Sequence, residues 1–190
     1  VTQHKIGNFI KAEEYFNRGL KKVPNYVNIL NNLGNLKKDL DQTNEALDYY
    51  KKSLSINPKV IRTLLNISIC LQSLGKFEES KNYLNKLLEI DPKFTIADRL
   101  ISSMTKYDKG NIHFESMLDK LKKIKLNDFQ LANLFFGIGK AYEDLKVYDQ
   151  SFQNYSKGNS LLKKISNYKI EDEKKNFDKI KEIFSENLVN

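Results

Sequence analysis

The sequence is short of the residues on which several kinds of protein depend. Its single cysteine, Cys70, excludes a disulfide framework and a cysteine-based zinc site. Three prolines and eight glycines in 190 residues provide too few turns for a sandwich or barrel of many short strands. No apolar run approaches the roughly 20 residues that span a bilayer, and no basic-then-apolar leader opens the chain. These absences predict a protein without a membrane span and favour a cytoplasmic location.

The basic excess of the chain is almost entirely lysine. The formal net charge is +8, yet only Arg18, Arg62 and Arg99 among the 32 basic residues are arginine. Lysine, asparagine and isoleucine are the residues that AT-rich codons supply, so part of this excess reflects genomic composition. Grooves that bind nucleic acids usually combine arginine clusters with aromatic stacking residues, a combination that this sequence lacks. We therefore do not expect a nucleic acid partner.

An internal repeat organises the first half of the chain. Pro24, Pro58 and Pro92 recur every 34 residues. Upstream of each proline, a small residue (Ala46 in the second segment) is followed four positions later by an aromatic residue or leucine, here Tyr50. Such residues share one face of a helix, which allows a neighbouring backbone to approach closely. Each proline is expected to end the second helix of its unit because it cannot continue a helix.

The 34-residue period, the apolar stripes and the terminal proline resemble the tetratricopeptide repeat (TPR), a helix–turn–helix unit. This resemblance implies an all-α fold, a right-handed superhelical solenoid of TPR helix–turn–helix pairs with a C-terminal capping helix. We divide this single domain into a partial repeat at 1–26, repeats at 27–60 and 61–94, a degenerate repeat at 95–131, a repeat at 132–165 and the capping helix at 166–190.

Helix limits inside and at the end of these units can also be predicted. In the degenerate repeat, 97–107 is expected to be the first helix, 108–111 the turn and 113–124 the second helix. Residues 1–6 are expected to be the tail of an earlier helix, so we expect the chain to be cut from a longer protein. The cap is expected to use Ile170, Phe177, Ile180 and Phe184 to cover the last apolar face of the solenoid.

The second half of the chain supports an additional hypothesis. The segments at 97–121 and 134–164, followed by Tyr168, are similar to the N-terminal region of bacterial TPR-sulfotransferase fusion proteins. In that family, degenerate repeats precede a catalytic domain whose phosphate-cradling loop follows a strand. Residues 1–190 contain no such loop, so the resemblance transfers no catalytic residue. It implies a substrate-presenting or assembly domain of a sulfotransferase, as the alternative to an independent scaffold.

The resemblance to TPR proteins also implies a concave groove that is lined by the first helix of each unit. Residues one step away from the packing stripe should face that groove, where amides can bond a peptide backbone and bases attract acidic groups. Solvated surface is the alternative use of such residues. The predicted groove residues are Asn28, Asn31, Asn35, Lys38, Arg62, Leu65, Ile69, Gln72, Arg99, Ser103, Lys106, Asn133, Phe136 and Lys140. We expect a protein or peptide ligand there and no cofactor.

One specific partner of some TPR domains is disfavoured. Those domains grip the C-terminal carboxylate of chaperones with lysine, arginine and asparagine at fixed positions. Asn35 and Asn66 occupy the asparagine positions. However, Asn31 replaces the first lysine, and Ile96 and Leu100 replace the last lysine and arginine. The clamp is therefore incomplete.

Nothing in the sequence predicts catalysis or metal binding. The segment Gly137-x-Gly139-Lys140 lacks a preceding strand and the rest of a phosphate loop, so we expect helix packing there. His4 and His113 are the two histidines, and they lack the spacing of metal ligands. We therefore expect neither an enzyme nor a metal site in this chain.

Other reactive side chains are also expected to be structural. Neighbouring carboxylates such as Glu143 and Asp144 point to different parts of a helix surface, and we expect both to be solvated. Cys70 lies beside an apolar stripe and should be a buried, inert thiol.

Overall fold

The computed structural model describes residues 3–166 and 170–183, which form ten α-helices and contain no β-strand. The helices are α1 (Gln3–Lys22), α2 (Val27–Asp39), α3 (Thr43–Ile56), α4 (Ile61–Ser73), α5 (Phe77–Ile90), α6 (Thr95–Ser103), α7 (Ile112–Lys123), α8 (Asp128–Asp144), α9 (Tyr148–Ser166) and α10 (Ile170–Ile183). Among these, α2 pairs with α3, α4 with α5, and α8 with α9. Within this part of the chain, no helix is long and apolar enough to cross a membrane.

The three prolines mark helix ends, as predicted. Helices α1, α3 and α5 each end two residues before Pro24, Pro58 or Pro92. At the second and third of these sites, the residue before proline also forms a local turn. The side-chain oxygen of Asn57 accepts a hydrogen bond from the Lys59 backbone N–H at 3.1 Å, and Asp91 does the same for Lys93 at 2.9 Å. Proline and this side-chain turn together direct the chain into the next unit.

The turns inside the helix pairs share one conformation. Asp41, Gly75 and Lys146 occupy the same place after α2, α4 and α8, and their φ angles are 60°, 71° and 62°. In each turn, the next residue donates its N–H to a carbonyl five residues earlier, for example Val147 to Tyr142 at 2.9 Å. This is a Schellman motif, in which the left-handed residue is usually glycine. Only one of the three turns has glycine at that place.

Small residues let the paired helices approach closely. The buried ring of Tyr50 on α3 covers Gly34 on α2, where a Cβ atom would collide with the ring. Tyr155 on α9 covers Gly139 on α8 in the same way, with the nearest ring atoms 3.0 Å from the Cβ that Gly139 lacks. The prediction that Gly139 serves helix packing is therefore confirmed.

The degenerate repeat differs from the helix limits expected for it. Helix α6 ends at Ser103, so the expected continuation to Tyr107 is wrong. Tyr107 is instead drawn into the core, with 3% of its surface exposed, and packs with Phe114 and Met117. Its backbone N–H bonds the Asp144 carboxylate at 3.0 Å, which replaces a helical hydrogen bond. The backbone of α6 consequently lies closest to α8 rather than to α7.

Helices α1 and α10 lie at the two ends of the described chain. Residues from Gln3 to Ile6 begin α1 and are continuous with the helix that ends at Lys22, so the expected break after Ile6 is wrong. The helix runs through this segment without interruption. At the other end α10 is present, with Ile170, Phe177 and Ile180 at least half exposed. Phe184 lies outside the described residues, and the covering role of α10 stays a prediction.

Candidate functional site

The first helices of the units form a continuous surface, which we call the A-helix face and define as the exposed sides of α2, α4, α6 and α8. Hydrogen bonds tie α2 to α4: Thr63 donates to Asn31 Oδ1 at 2.6 Å, and Asn66 Nδ2 donates to Asn35 Oδ1 at 3.0 Å. Sequence reasoning missed Thr63, which faces the neighbouring helix although it lies beside the exposed Arg62.

The remaining helices of the face are joined in the same manner. Gln72 on α4 lies 3.4 Å from Ser103 on α6. The Thr95 hydroxyl on α6 donates to the Gln130 carbonyl on α8 at 2.8 Å. Polar side chains at regular intervals therefore fix the order α2, α4, α6, α8 across the surface.

The predicted groove residues differ in their solvent exposure, and therefore in their accessibility to a ligand. Asn31 and Asn133 are buried, with 5% and 4% of their surface exposed. The others lie at the surface or partly below it. Those that are exposed are Asn28, Arg62, Ile69, Arg99, Ser103 and Lys106, and those that are half-buried are Asn35, Lys38, Leu65, Gln72, Phe136 and Lys140. Lys106 lies beyond the end of α6, in the segment that leads to α7.

The amides of α2 present hydrogen-bond donors rather than acceptors. Asn35 Oδ1 accepts from both the Tyr50 hydroxyl, at 2.7 Å, and Asn66 Nδ2. Asn31 Oδ1 accepts from Thr63. Because two bonds occupy Asn35 Oδ1 and Asn35 is half-buried, its amide N–H groups remain for a ligand, whereas Asn31 is buried. Burial raises the pKa of Tyr50, which keeps its hydroxyl protonated and able to hold Asn35 in this orientation.

Two lysines at the far end of the face share one carboxylate. Lys140 and Lys106 lie 2.6 and 2.9 Å from Asp144 Oδ1, and the Asp144 side chain is 4% exposed. Burial by itself would raise the pKa of Asp144, but hydrogen bonds from Lys140, the Tyr107 backbone and Lys106 outweigh burial and hold the pKa at about 2. The expectation that Asp144 is solvated is wrong, because its buried carboxylate is bonded by the Tyr107 backbone N–H and by the two lysines. Asp144 therefore offsets one of the two positive charges within the protein.

A polar cluster lies beneath α6. Asp98, which is fully buried, is bonded by Lys120 Nζ, and His113 Nε2 lies 3.4 Å from Asp98 Oδ1. The Tyr107 hydroxyl lies 2.7 Å from His113 Nδ1 and 2.8 Å from the hydroxyl of Ser102. Burial raises the pKa of Tyr107 to about 12, so this phenol stays protonated.

The cluster contains serine, histidine and aspartate, but their arrangement does not suit hydrolysis. A catalytic serine must contact the imidazole that accepts its proton. Here the Ser102 hydroxyl bonds the Asp98 carbonyl and Tyr107, and Tyr107 separates it from His113. Ser102 is also 1% exposed, so no substrate can reach it. The cluster joins α6 to α7 and supports the part of the face that carries Arg99.

Comparison with protein families places a known repeat in the first half of the chain. Residues 26–93 match the model of the tetratricopeptide repeat. This segment is similar to tetratricopeptide repeats. The match spans α2 to α5, the two units in which the 34-residue period is complete. A comparison with curated protein sequences finds no match.

Solved structures show the same TPR fold over most of the chain. MamA superposes with a TM-score of 0.66 at 19% identity, covering 87% of this chain and 95% of that one. A TPR protein from Parabacteroides merdae gives 0.63 at 23% identity, with 85% and 62% covered. YrrB, described as a TPR protein with an unusual peptide-binding site, gives 0.61 at 14% identity, with 83% and 80% covered. The predicted fold class, an all-α, right-handed TPR solenoid, is confirmed.

Proposed function

We propose that the chain is a non-catalytic scaffold that holds an extended peptide or protein segment along the A-helix face. The observation that carries this proposal is the chemistry of the face. The inward-turned amide oxygen of Asn35 leaves its N–H donors on the surface of α2, and these suit the carbonyl groups of an extended backbone. Leu65, Ile69 and Phe136 add half-buried or exposed apolar surface for ligand side chains.

One structural neighbour supports a peptide as the ligand class, because YrrB combines a similar fold with what is described as an unusual peptide-binding site. Contacts of this kind commonly give micromolar dissociation constants, about −8 kcal/mol. A cytoplasmic location belongs to the same proposal.

Selection from a library of randomised peptides displayed on phage tests the proposal. Enriched peptides should bind the wild-type protein in fluorescence anisotropy, and Ile69→Glu should weaken them at least about tenfold by placing an unpaired charge in the middle of the face. Ile112→Glu is the matched control, because Ile112 is 86% exposed on α7, away from the face. If the enriched peptides bind Ile69→Glu as tightly as wild type, the A-helix face is not the binding surface.

The sulfotransferase hypothesis depends on the sequence similarity of 97–121 and 134–164 alone. It predicts that the reading frame continues past Asn190 into a domain with a strand and a phosphate-cradling loop. Sequencing the gene downstream tests this hypothesis, and a stop codon directly after Asn190 would eliminate it.

A further inference from the structure

Arg99 is an exposed guanidinium that the protein holds in place from two sides. Its Cζ atom lies 4.5 Å from the centroid of the Phe136 ring, and its Nη1 lies 3.4 Å from Asn133 Oδ1. Asn133 is fixed in turn, because its Nδ2 donates to the Phe129 carbonyl at 2.9 Å. The side chain of Arg99 is therefore preorganised at the surface between α6 and α8.

The Phe136 ring is itself a firm support. Atoms of the ring lie 3.1 Å from the Cβ position that Gly158 leaves free, so α9 holds the ring from below. Tyr155 tilts against it, with the two ring centroids 6.4 Å apart. A guanidinium that stacks on a ring keeps its N–H groups directed outward in the plane of the fork. Phe136 thus orients Arg99 without using its hydrogen-bond donors.

The charge of Arg99 differs from that of the nearby lysines. Lys106 and Lys140 share Asp144, whereas Arg99 has no carboxylate partner among the residues whose side chains the structure describes. Arginine is also rare here, so its presence at this place is a departure from the lysine-rich composition. A planar fork with free donors matches a carboxylate, to which it can make two parallel hydrogen bonds.

We propose that Arg99 is a specificity-determining residue that binds an internal Asp or Glu side chain of the ligand. This inference rests on the proposed function, since it names one chemical feature of the segment held by the A-helix face. A chain-end carboxylate fits less well, because it needs several converging donors. The nearest positions on α6 are the half-buried apolar residues Ile96 and Leu100.

Two peptide libraries test the inference. In one, randomised peptides are embedded within a carrier protein and have no free end, and in the other they have a free C-terminus. Peptides enriched on the wild-type protein from the embedded library should carry Asp or Glu at one fixed position. In anisotropy titrations, changing that residue to Asn or Gln should weaken binding about tenfold to wild type, and less than twofold to Arg99→Gln.

Arg18→Gln is the matched control, because Arg18 is also an exposed arginine over an aromatic ring, 6.0 Å from the Tyr15 centroid, but lies on α1 outside the A-helix face. This variant should keep the preference for an acidic residue, while Phe136→Leu should reduce it although Arg99 remains. The inference is overturned if the preference is the same in Arg99→Gln, if it is absent in wild type, or if it occurs only with a free C-terminus. Enrichment without a preference leaves the scaffold proposal intact, whereas no enrichment from either library overturns both.

Discussion

Lys120 Nζ lies 2.6 and 2.8 Å from the two carboxylate oxygens of Asp98, and this ion pair is buried beneath α6. Asp98 is fully buried and Lys120 is 7% exposed. The pair connects α7 to α6 in the unit where regular helix pairing is lost. Asp98 precedes Arg99 in the sequence, so the ion pair also fixes the part of α6 that we propose to bind the ligand.

Removing one partner of this pair should destabilise the protein strongly. Lys120→Met removes the ammonium partner of the buried Asp98 and leaves only His113 Nε2 at 3.4 Å from it, and we expect a loss of about 3–5 kcal/mol in the free energy of unfolding, measured with urea. The double variant Asp98→Asn/Lys120→Met removes both charges and should recover most of that loss. Lys123→Met is the control, because Lys123 and Asp119 form an exposed pair. Equal losses for Lys120→Met and Lys123→Met would contradict the prediction.

Acid should weaken the protein through Asp144. Its folded-state pKa of about 2 lies below the ordinary value of 3.8, so the ionised carboxylate stabilises the fold fully above about pH 4. This stabilisation disappears as the pH falls from about 4 towards 2. Asp144→Asn should therefore cost about 2 kcal/mol at pH 7 and much less at pH 2. Urea unfolding at several pH values measures this difference, with the exposed Asp108→Asn as a control that should have little effect at any pH.

The two glycines beneath tyrosine rings should differ in their tolerance of a methyl group. Gly34→Ala places Cβ into the ring of the fully buried Tyr50, and we expect a loss of about 2 kcal/mol. Gly139→Ala meets the partly exposed Tyr155, which can shift, so the gain in helix propensity should keep the change within about 1 kcal/mol. Thermal unfolding of both variants provides the comparison, and a loss for Gly139→Ala as large as that for Gly34→Ala would contradict the prediction.

Replacing Lys146 by glycine in the turn after α8 should stabilise the protein. Lys146 has a φ of 62°, which costs a residue with a side chain about 1 kcal/mol. Lys146→Gly should stabilise the protein by about 0.5–1 kcal/mol in urea unfolding. The reverse change, Gly75→Lys, should destabilise by a similar amount, since its Cβ meets open space and only the backbone conformation is affected. A destabilised Lys146→Gly would show that the turn is not strained.

The regular units were predictable because their signals are local. Pro58 and Pro92 end helices by removing a donor and restricting the preceding residue, whatever the rest of the chain does. The burial of Asp144 could not be predicted in this way, because it depends on Tyr107, which is 37 residues away in sequence. Periodicity likewise extended α6 past Ser103, because it carries no information about the hydrogen bonds that hold Tyr107 out of the helix.

The donor character of the A-helix face was partly predictable. Asn31 and Asn35 were expected at the groove from their positions on α2 alone. Which atoms they present depends on Thr63, Tyr50 and Asn66, whose contacts form only when neighbouring units stack. The stacked Arg99 was beyond prediction for the same reason, since Phe136 belongs to another unit.

The approach of α6 to α8 divides the folding of the chain into two regimes. In 27–94, each helix packs on the next one in sequence, so structure can spread from pair to pair with short loop closures. Helix α6 packs mainly on α8, and this contact requires the chain to close a loop that contains all of α7. The helices α6 to α9 must therefore order together, which makes the degenerate repeat a cooperative boundary in an otherwise sequential array.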